Sequence, residues 1–222
     1  MYIFLHAGMR FVILKNMILF IFLENQYIFM EKILFNNMLY TDKTIAGAFF
    51  FFAGIQSVLL MLISACHYPG YSISTNYISD LGVGTTAILF NATMIILGVS
   101  TLLGMYFVHR AYSYRVLTVL LILTGVGAVG VGVFPEDYGL IHGIAALTAF
   151  LFGGLSAISS HTLLTFPLNY CSILLGLLAL GALVLFIAGI YLGLGVGGME
   201  RMIAYPVLLW GVSFGGALMG SK

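Results

Sequence analysis

Charged residues are scarce in this chain. Asp, Glu, Lys and Arg make up 7% of its 222 residues, whereas 62% are hydrophobic. A soluble domain carries roughly a quarter charged residues, because polar groups must cover its surface. The composition therefore excludes a water-soluble globule and predicts an integral membrane protein whose partner is the lipid bilayer. A formal net charge of +1, without any cluster of Lys and Arg, also argues against nucleic acid as a partner.

Cysteine is almost absent, and this excludes most cysteine chemistry. Cys66 and Cys171 are the only two cysteines, and the span count given below places them at opposite membrane surfaces, ~30 Å apart. That separation is too large for a disulfide. The chain has no Cys spacing typical of a zinc or redox motif, so we expect two free, small and buried side chains.

Long apolar runs take the place of the missing charges. Each is near the ~20 residues that cross the hydrocarbon of a bilayer, and polar or turn residues separate it from the next. We predict six membrane-spanning helices at residues 44–66, 85–108, 116–133, 140–160, 171–193 and 202–219. Short connections make neighbouring helices antiparallel. The predicted fold is an all-α six-helix transmembrane bundle within residues 44–222.

Positive charges predict the orientation of this bundle. By the positive-inside rule, connections that carry Lys and Arg face the cytoplasm. One side of the bundle has only Arg201, whereas the other has Lys43, Arg110, Arg115 and Lys222. We therefore expect a multi-pass protein of the cell membrane with both ends of the six-helix body in the cytoplasm.

Residues 1–40 have a different pattern and are treated as an amino-terminal extension. Their apolar stretch Met17–Leu23 is bounded by polar residues and is too short to span a bilayer. No small-residue cleavage site follows it, which disfavours a signal peptide. Two interpretations stay open: an amphipathic surface helix, or a start-site artefact in which Met38 is the true first residue.

Two short polar runs interrupt the apolar sequence. One is His67–Asp80, between the first and second spans, and the other is Phe134–His142, between the third and fourth. Each follows an odd number of crossings, so both face the same side of the bilayer, which the charge distribution makes the outer side. Any chemistry of this protein is expected there.

His142 is expected to point into the bundle. Steps of three and four residues along the fourth helix lead from it to a stripe of small or weakly polar side chains, namely Ala146, Ala149, Gly153, Ser156 and Ser160. Such a stripe faces protein, not lipid. A titratable side chain inside a membrane protein is a functional candidate; the alternative is a histidine that is hydrogen-bonded to a loop carbonyl or a carboxylate.

Four residues of the polar runs form a candidate metal site. Glu136 and Asp137 immediately precede the fourth helix, where either can cap its free N–H groups. Together with Asp80 and His142 they form an oxygen-rich set with one imidazole, suited to a divalent metal or to acid and base catalysis. The alternative is that these are solvated loop charges.

Ser79, Asp80 and His142 are the candidate catalytic residues. A serine acts as a nucleophile only with a base in hydrogen-bond reach. His67 and His142 are the two histidines on the predicted outer side. Ser79, Asp80 and Asn76 share one face of a short helix in the first outer loop, which we expect to be interfacial or re-entrant.

Asn91 and the glycines are expected to be structural. Asn91 lies inside the second span, where an amide is costly unless it bonds to a neighbouring helix. Small residues that form ridges let helices approach closely. We predict one ridge on the third helix and one on the fifth, formed by Gly125, Ala128 and Gly132 and by Gly189 and Gly193.

The motifs in the two polar runs carry a family resemblance. Tyr71–Gly82, followed two helices later by Val133–Glu136 and His142-Gly143, resembles the largely archaeal membrane proteins grouped as domain of unknown function (DUF) 998. The resemblance covers the chain from about Thr44 onward. It implies a multi-helix membrane protein and no particular activity.

Three functions are consistent with these observations. The first is an intramembrane enzyme that acts on amphiphilic substrates, with or without a metal. The second is a transporter or binding protein for a cation or a small polar solute. The third is a structural or partner-binding membrane protein. A pocket that reaches into the membrane from one side, without a path through it, would favour the enzyme over the transporter.

Overall fold

The computed structural model describes residues 41–221, and this part of the chain contains helices and loops without a strand. Six helices are long and apolar enough to cross a membrane. They are α1 (Asp42–His67), α2 (Ala87–Tyr112), α3 (Arg115–Val133), α4 (Leu140–Ser159), α5 (Leu168–Ile187) and α6 (Gly195–Gly220). The predicted all-α bundle of six membrane-spanning helices is confirmed. The interpretations of residues 1–40 lie outside the described residues and stay predictions.

The six helices form a closed ring. Each helix packs against its neighbours in the chain, and α6 returns to pack against α1. The connections are short, such as the two residues Ser113 and Tyr114 between α2 and α3, so consecutive helices run antiparallel. Helices therefore surround the centre of the bundle on all sides.

Glycines bring α2 and α3 into backbone contact. A Cβ atom built on Gly98 would lie 2.5 Å from the carbonyl oxygen of Gly125, and one on Gly132 would lie 2.5 Å from that of Asn91. Since lipid supplies no hydrophobic drive for helices to associate, such close approach provides the packing. Gly125 and Gly132 of the predicted ridge on the third helix therefore form a helix contact, and Ala128 between them is buried.

The boundary between α5 and α6 differs from the prediction. α5 ends at Ile187 instead of residue 193, and α6 begins at Gly195 instead of residue 202. Gly189 and Gly193 have φ angles of 72° and 78°, a left-handed conformation that glycine adopts readily and that ends an α-helix. The predicted glycine ridge on the fifth helix is wrong, because both glycines lie in the connection.

Aromatic side chains fill the end of the ring that lies near the start of α1. We call Phe50, Trp210 and Phe214 the aromatic plug. The Phe50 and Trp210 rings lie 5.3 and 5.4 Å from the Phe214 ring, centre to centre. The indole Nε1–H of Trp210 donates to the Ser160 hydroxyl at 2.8 Å, so the buried polar group of the plug is satisfied.

Both cysteines are free, as predicted, but both are exposed. Cys66 lies in the last turn of α1 and Cys171 in the first turn of α5. The expectation that they are buried is wrong, since each lies on a part of its helix that no other helix covers.

Candidate functional site

The loop between α1 and α2 covers the end of the ring opposite the aromatic plug, and we call residues 68–84 the lid loop. The short helix expected here is present as 3-10 turns, Ser79–Gly82 and the adjoining Gly84–Thr86. The Asp80 carboxylate accepts hydrogen bonds from Asn76 Nδ2 at 2.8 Å and from the Tyr77 backbone N–H at 3.0 Å. Asp80 therefore organises the lid loop from within.

Two asparagines also bond to the lid loop. Asn76 Oδ1 accepts from the Ser72 N–H, and Asn91 Nδ2 donates to the Gly82 carbonyl, each at 3.0 Å. We expected Asn91 to bond to a neighbouring helix. Its partner is the lid loop instead, because α2 begins at Ala87 and Asn91 lies only about one turn below that end.

Glu200 and Arg201 lie next to each other in the second turn of α6. Both are buried, with 6% and 8% of their surface exposed. A carboxylate oxygen of Glu200 accepts a hydrogen bond from the Ile78 backbone N–H of the lid loop. A buried carboxylate is stable only when such donors replace water, so this contact joins α6 to the lid loop.

The Arg201 guanidinium binds a group of carbonyl oxygens. Its Nη1 lies 2.7 Å from the Gly197 oxygen, 3.0 Å from that of Ile73 and 3.3 Å from that of Asn76. Its Nη2 donates to the Tyr71 hydroxyl, and its Cζ lies 5.4 Å from the centre of the Tyr71 ring. Charge-assisted hydrogen bonds are roughly twice as strong as neutral ones. Arg201 therefore fastens the lid loop to α6.

Two glycines let the lid loop lie against the backbone of α6. A Cβ atom on Gly197 would lie 1.9 Å from the Asn76 carbonyl oxygen, and one on Gly195 would lie 2.2 Å from that of Ser74. The Gly197 N–H donates to the Ser74 carbonyl at 3.1 Å. No other residue type fits at this distance, so the glycines before Glu200 are required by the contact.

Asp80 and Glu136 meet where the two polar runs come together. Burial and, to a smaller extent, the adjacent Asp80 carboxyl raise the pKa of Glu136 to about 7, whereas the Ser79 hydroxyl opposes the shift. Glu136 Oε2 is buried and has no hydrogen-bond partner among the described residues. Two neighbouring carboxyl groups cannot both ionise easily, so this pair retains a proton near neutral pH.

His142 points into the ring as predicted, with 8% of its surface exposed. Its Nδ1 lies 2.8 Å from the Phe134 carbonyl oxygen. A carbonyl only accepts, so Nδ1 carries the proton, and Nε2 of the neutral ring is an acceptor. A histidine bonded to a loop carbonyl was the structural alternative to a functional role. The same bond also fixes the tautomer that a general base requires.

Asp137 and His67 lie apart from this cluster. Asp137 is exposed, and the residue that precedes α4 is Gly139, which makes no side-chain cap. The expectation that Glu136 or Asp137 caps this helix is wrong, because the 3-10 turn Glu136–Tyr138 separates them from it. The exposed His67 ring bonds to the carbonyl of Ile63 in its own helix, at 2.8 Å.

A metal site is not assembled in the described part of the chain. Within residues 41–221, no three His, Cys, Asp or Glu side chains are grouped as a metal ion would require. Of the predicted set of Asp80, Glu136, Asp137 and His142, Asp80 and Glu136 lie together, whereas Asp137 is exposed.

A cavity of about 90 Å³ lies at the centre of the ring beneath the lid loop. Residues of α1, α2, α3, α4 and α6 line it, and on α6 the lining extends from Glu200 to Gly211, ~16 Å along the helix axis. The walls are mostly apolar. Three polar side chains line it near the lid loop, namely Ser79, His142 and Glu200.

The family of the chain follows from these features together with a sequence comparison. The profile described as "Protein of unknown function (DUF998)" matches residues 45–216. The chain belongs to the DUF998 family. The match begins within α1 and ends within α6, and it includes the four helices between them, the lid loop and the residues that line the cavity. No curated protein and no solved structure matches the chain.

The small-residue stripe of α4 borders the cavity of this DUF998 protein. Ala146 and Ala149 line the cavity next to His142, and a Cβ atom on Gly153 would lie 2.9 Å from Cγ1 of Val207 on α6. The stripe therefore faces protein, as predicted. Its small side chains leave the space that forms the cavity wall.

Glu200 and Arg201 were not predicted as site residues of this DUF998 chain. Because both residues are charged, hydropathy assigned them to the connection between two spans, and the sixth helix was expected to begin after them. A signal was present, because they are the only Asp, Glu, Lys or Arg residues between Asp137 and Lys222. From Glu200, helical steps reach Ala204, Leu208 and Gly211, a stripe that borders the cavity.

Proposed function

We propose that this protein binds an amphiphilic molecule inside the bilayer, with its apolar chain in the central cavity and its polar end beneath the lid loop. The observation that carries this proposal is the distribution of polar groups along the cavity. Unused hydrogen-bonding atoms belong to Glu200 and His142 near the lid loop. Further down, Thr101 and Thr124 bond to carbonyl groups of their own helices.

The shape of the cavity favours a slender chain. A cavity of about 90 Å³ whose lining extends ~16 Å along α6 is elongated, which suits an alkyl chain. An apolar cavity stays free of water and binds apolar ligands. Most binding pockets combine such walls with a few polar groups that fix orientation, which is the arrangement here.

The far end of the cavity supports binding over passage through the membrane. Trp210 and Gly211 line that end, next to the aromatic plug. Both ionisable side chains that line the cavity, Glu200 and His142, lie at the lid end. A pathway for a cation or a polar solute would need polar groups along its length, so a pocket closed at one end is the arrangement that we propose.

We also propose that the lid loop faces away from the cytoplasm. Lys43, Arg110 and Arg115 lie at the opposite end of the helices, and Arg201 is held inside the fold. Thr75→Cys and Ser113→Cys, made in a chain with Cys66 and Cys171 replaced by serine, test this proposal. An impermeant maleimide should label position 75 in intact cells and position 113 only after permeabilisation. Labelling in the reverse order contradicts it.

Photo-crosslinking tests the binding proposal. An alkyl probe with a diazirine on its chain should label residues of the cavity wall, such as Met94 and Phe150, in the full chain embedded in nanodiscs. Ala149→Phe fills the cavity and should abolish this labelling. Leu147→Phe, on the exposed face of the same helix, is the matched control and should leave it unchanged. Equal labelling of wild type and Ala149→Phe would show that the probe reports only lipid contact.

A second candidate function is ester or amide hydrolysis on the bound molecule. Ser79 and His142 both line the cavity, Asp80 lies beside Ser79, and the Phe134 carbonyl fixes the tautomer in which His142 Nε2 accepts a proton. Water would be consumed: its oxygen bonds to the acyl carbon, the bond to the leaving group breaks, and a proton passes to that group. Loss of turnover in Ser79→Ala and His142→Gln, with probe binding retained, would support this function.

A further inference from the structure

We infer that the polar end of the bound molecule is a hydrogen-bond donor, an amine or an alcohol, and that the site rejects anionic head groups. This inference rests on the proposed function and names the ligand class of the same cavity. It follows from three features of the lid end: the atoms that face the cavity, the charges around them and the position of Arg201.

In its ionised form Glu200 has one unused acceptor oxygen, and the neutral ring of His142 has one acceptor at Nε2. Both side chains are buried, with only 6% of the Glu200 surface and 8% of the His142 surface exposed. One Glu200 oxygen is bound to the Ile78 N–H, and the Glu200 side chain lines the cavity. His142 spends its Nδ1 proton on the Phe134 carbonyl, so Nε2 presents a lone pair. A ligand that satisfies both atoms must supply protons.

The net charge beside the cavity mouth is negative. Asp80 and Glu136 lie beside Ser79 and retain one proton between them near neutral pH, so the pair carries one negative charge. In a medium of low dielectric constant, such groups attract a cation and repel an anion more strongly than they would in water. A carboxylate, sulfonate or phosphate head would meet carboxyl oxygens and a histidine lone pair.

The nearby cation faces the lid loop and not the cavity. Arg201 points to the carbonyls of Gly197, Ile73 and Asn76 and to the Tyr71 hydroxyl, and it does not line the cavity. Its guanidinium is therefore committed to the lid loop. An anionic head would have to displace those contacts to reach it.

Competition against the photoprobe tests this inference. The competitors are a primary amine, a primary alcohol and a sulfonate with the same alkyl chain, compared at equal membrane-bound concentration in zwitterionic nanodiscs. The amine and alcohol should protect the cavity wall from labelling. The sulfonate should require at least about tenfold more for equal protection, the effect of one charge-assisted hydrogen bond lost and one repulsion gained.

Two variants locate the preference. Glu200→Gln retains an acceptor for the Ile78 N–H and should weaken competition by the amine about tenfold, while the alcohol changes little. Asp137→Asn removes an exposed charge at the same end and should change neither. The wild-type comparison stands without either variant if Glu200→Gln does not fold.

The outcomes separate this inference from the function on which it rests. Equal protection by the sulfonate and the alcohol overturns the inference and leaves the binding proposal standing. Failure of every probe to label the cavity wall overturns the binding proposal itself. Competition by the amine that is as strong in Glu200→Gln as in the wild type also overturns the inference, because Glu200 would then not be the acceptor for the amine.

Discussion

The two ends of the helix ring are closed in different ways. At one end, Phe50, Trp210 and Phe214 pack ring against ring, and the buried indole N–H is bound to Ser160. At the other, a loop rich in polar residues is held by Glu200 and Arg201 on α6. The first end is closed by packing and has its polar groups satisfied. The second is closed by hydrogen bonds and leaves acceptors unused, which is the arrangement expected of a binding site.

Loss of the Arg201 side chain should have the largest effect on this comparison. Arg201→Ala removes the charge-assisted bonds to the lid loop, and we expect the free energy of unfolding to fall by about 3 kcal/mol. Denaturant titration in mixed micelles measures the loss. Hydrogen exchange should rise in residues 72–82 and stay unchanged around the aromatic plug.

Arg201→Lys is the matched variant for that experiment. Lysine keeps the charge but lacks the planar fork that reaches several carbonyls at once, so its stability should lie between those of wild type and Arg201→Ala. If the alanine variant unfolds at the same denaturant concentration as wild type, Arg201 does not fasten the lid loop.

A single methyl group on Gly197 should have the next largest effect. The Cβ atom of Gly197→Ala would lie 1.9 Å from the Asn76 carbonyl oxygen, so the lid loop must shift, at a cost of about 1–3 kcal/mol. Gly216→Ala on the same helix is the control, since nothing lies within 4 Å of its Cβ position. Equal thermal stability of the two variants would contradict the close contact between loop and helix.

The aromatic plug should be less sensitive to the loss of one hydrogen bond. Trp210→Phe keeps a ring in place but removes the donor to Ser160, and we expect a loss of about 1 kcal/mol. Ser160→Ala and the double variant complete a mutant cycle. A coupling energy near zero would mean that the bond between Nε1 and the hydroxyl does not contribute to closing this end.

The smallest expected effect is a pH dependence confined to the lid end. Because the pKa of Glu136 is raised from 4.5 to about 7, the native state binds this proton more tightly than the unfolded chain does. The stabilisation is complete below pH 4.5 and is lost as the pH rises through about 7. Corrected hydrogen exchange of residues 79–82 should therefore increase between pH 5.5 and 8.5, whereas Glu136→Gln should show a smaller increase, because the buried Glu200 carboxyl also lies at this end. A pH response of equal size at the plug would argue against this assignment.

Hydropathy and helical periodicity predicted the fold well and the lid poorly. Apolar runs mark the spans because every transmembrane helix must present a hydrocarbon-compatible surface. Counting crossings also predicted that Asp80 and Glu136 lie at the same end, and the structure brings them together. By contrast, the end of α5 depends on the positive φ angles of Gly189 and Gly193. The sequence alone does not distinguish a glycine in a helix contact from a glycine in a turn.

Glu200 and Arg201 show why the contacts between α6 and the lid loop could not be predicted from the sequence. In a membrane protein a charged pair at the edge of an apolar run usually marks the water boundary. Here the lid loop returns over the helix and supplies a backbone N–H to Glu200 and two carbonyls to Arg201. A third carbonyl comes from α6 itself, and together these groups replace water around both side chains. That compensation is a tertiary contact across more than 100 residues, and no local pattern encodes it.

The adjacency of Glu200 and Arg201 has a mechanical consequence. Consecutive side chains on a helix project about 100° apart, so Glu200 lines the cavity while Arg201 binds the lid loop above it. Both side chains belong to the same helical turn. Under the binding proposal, a rotation or tilt of α6 that accommodates a molecule at Glu200 would also move the Arg201 contacts to the lid loop, so that binding and opening of the lid loop would be coupled.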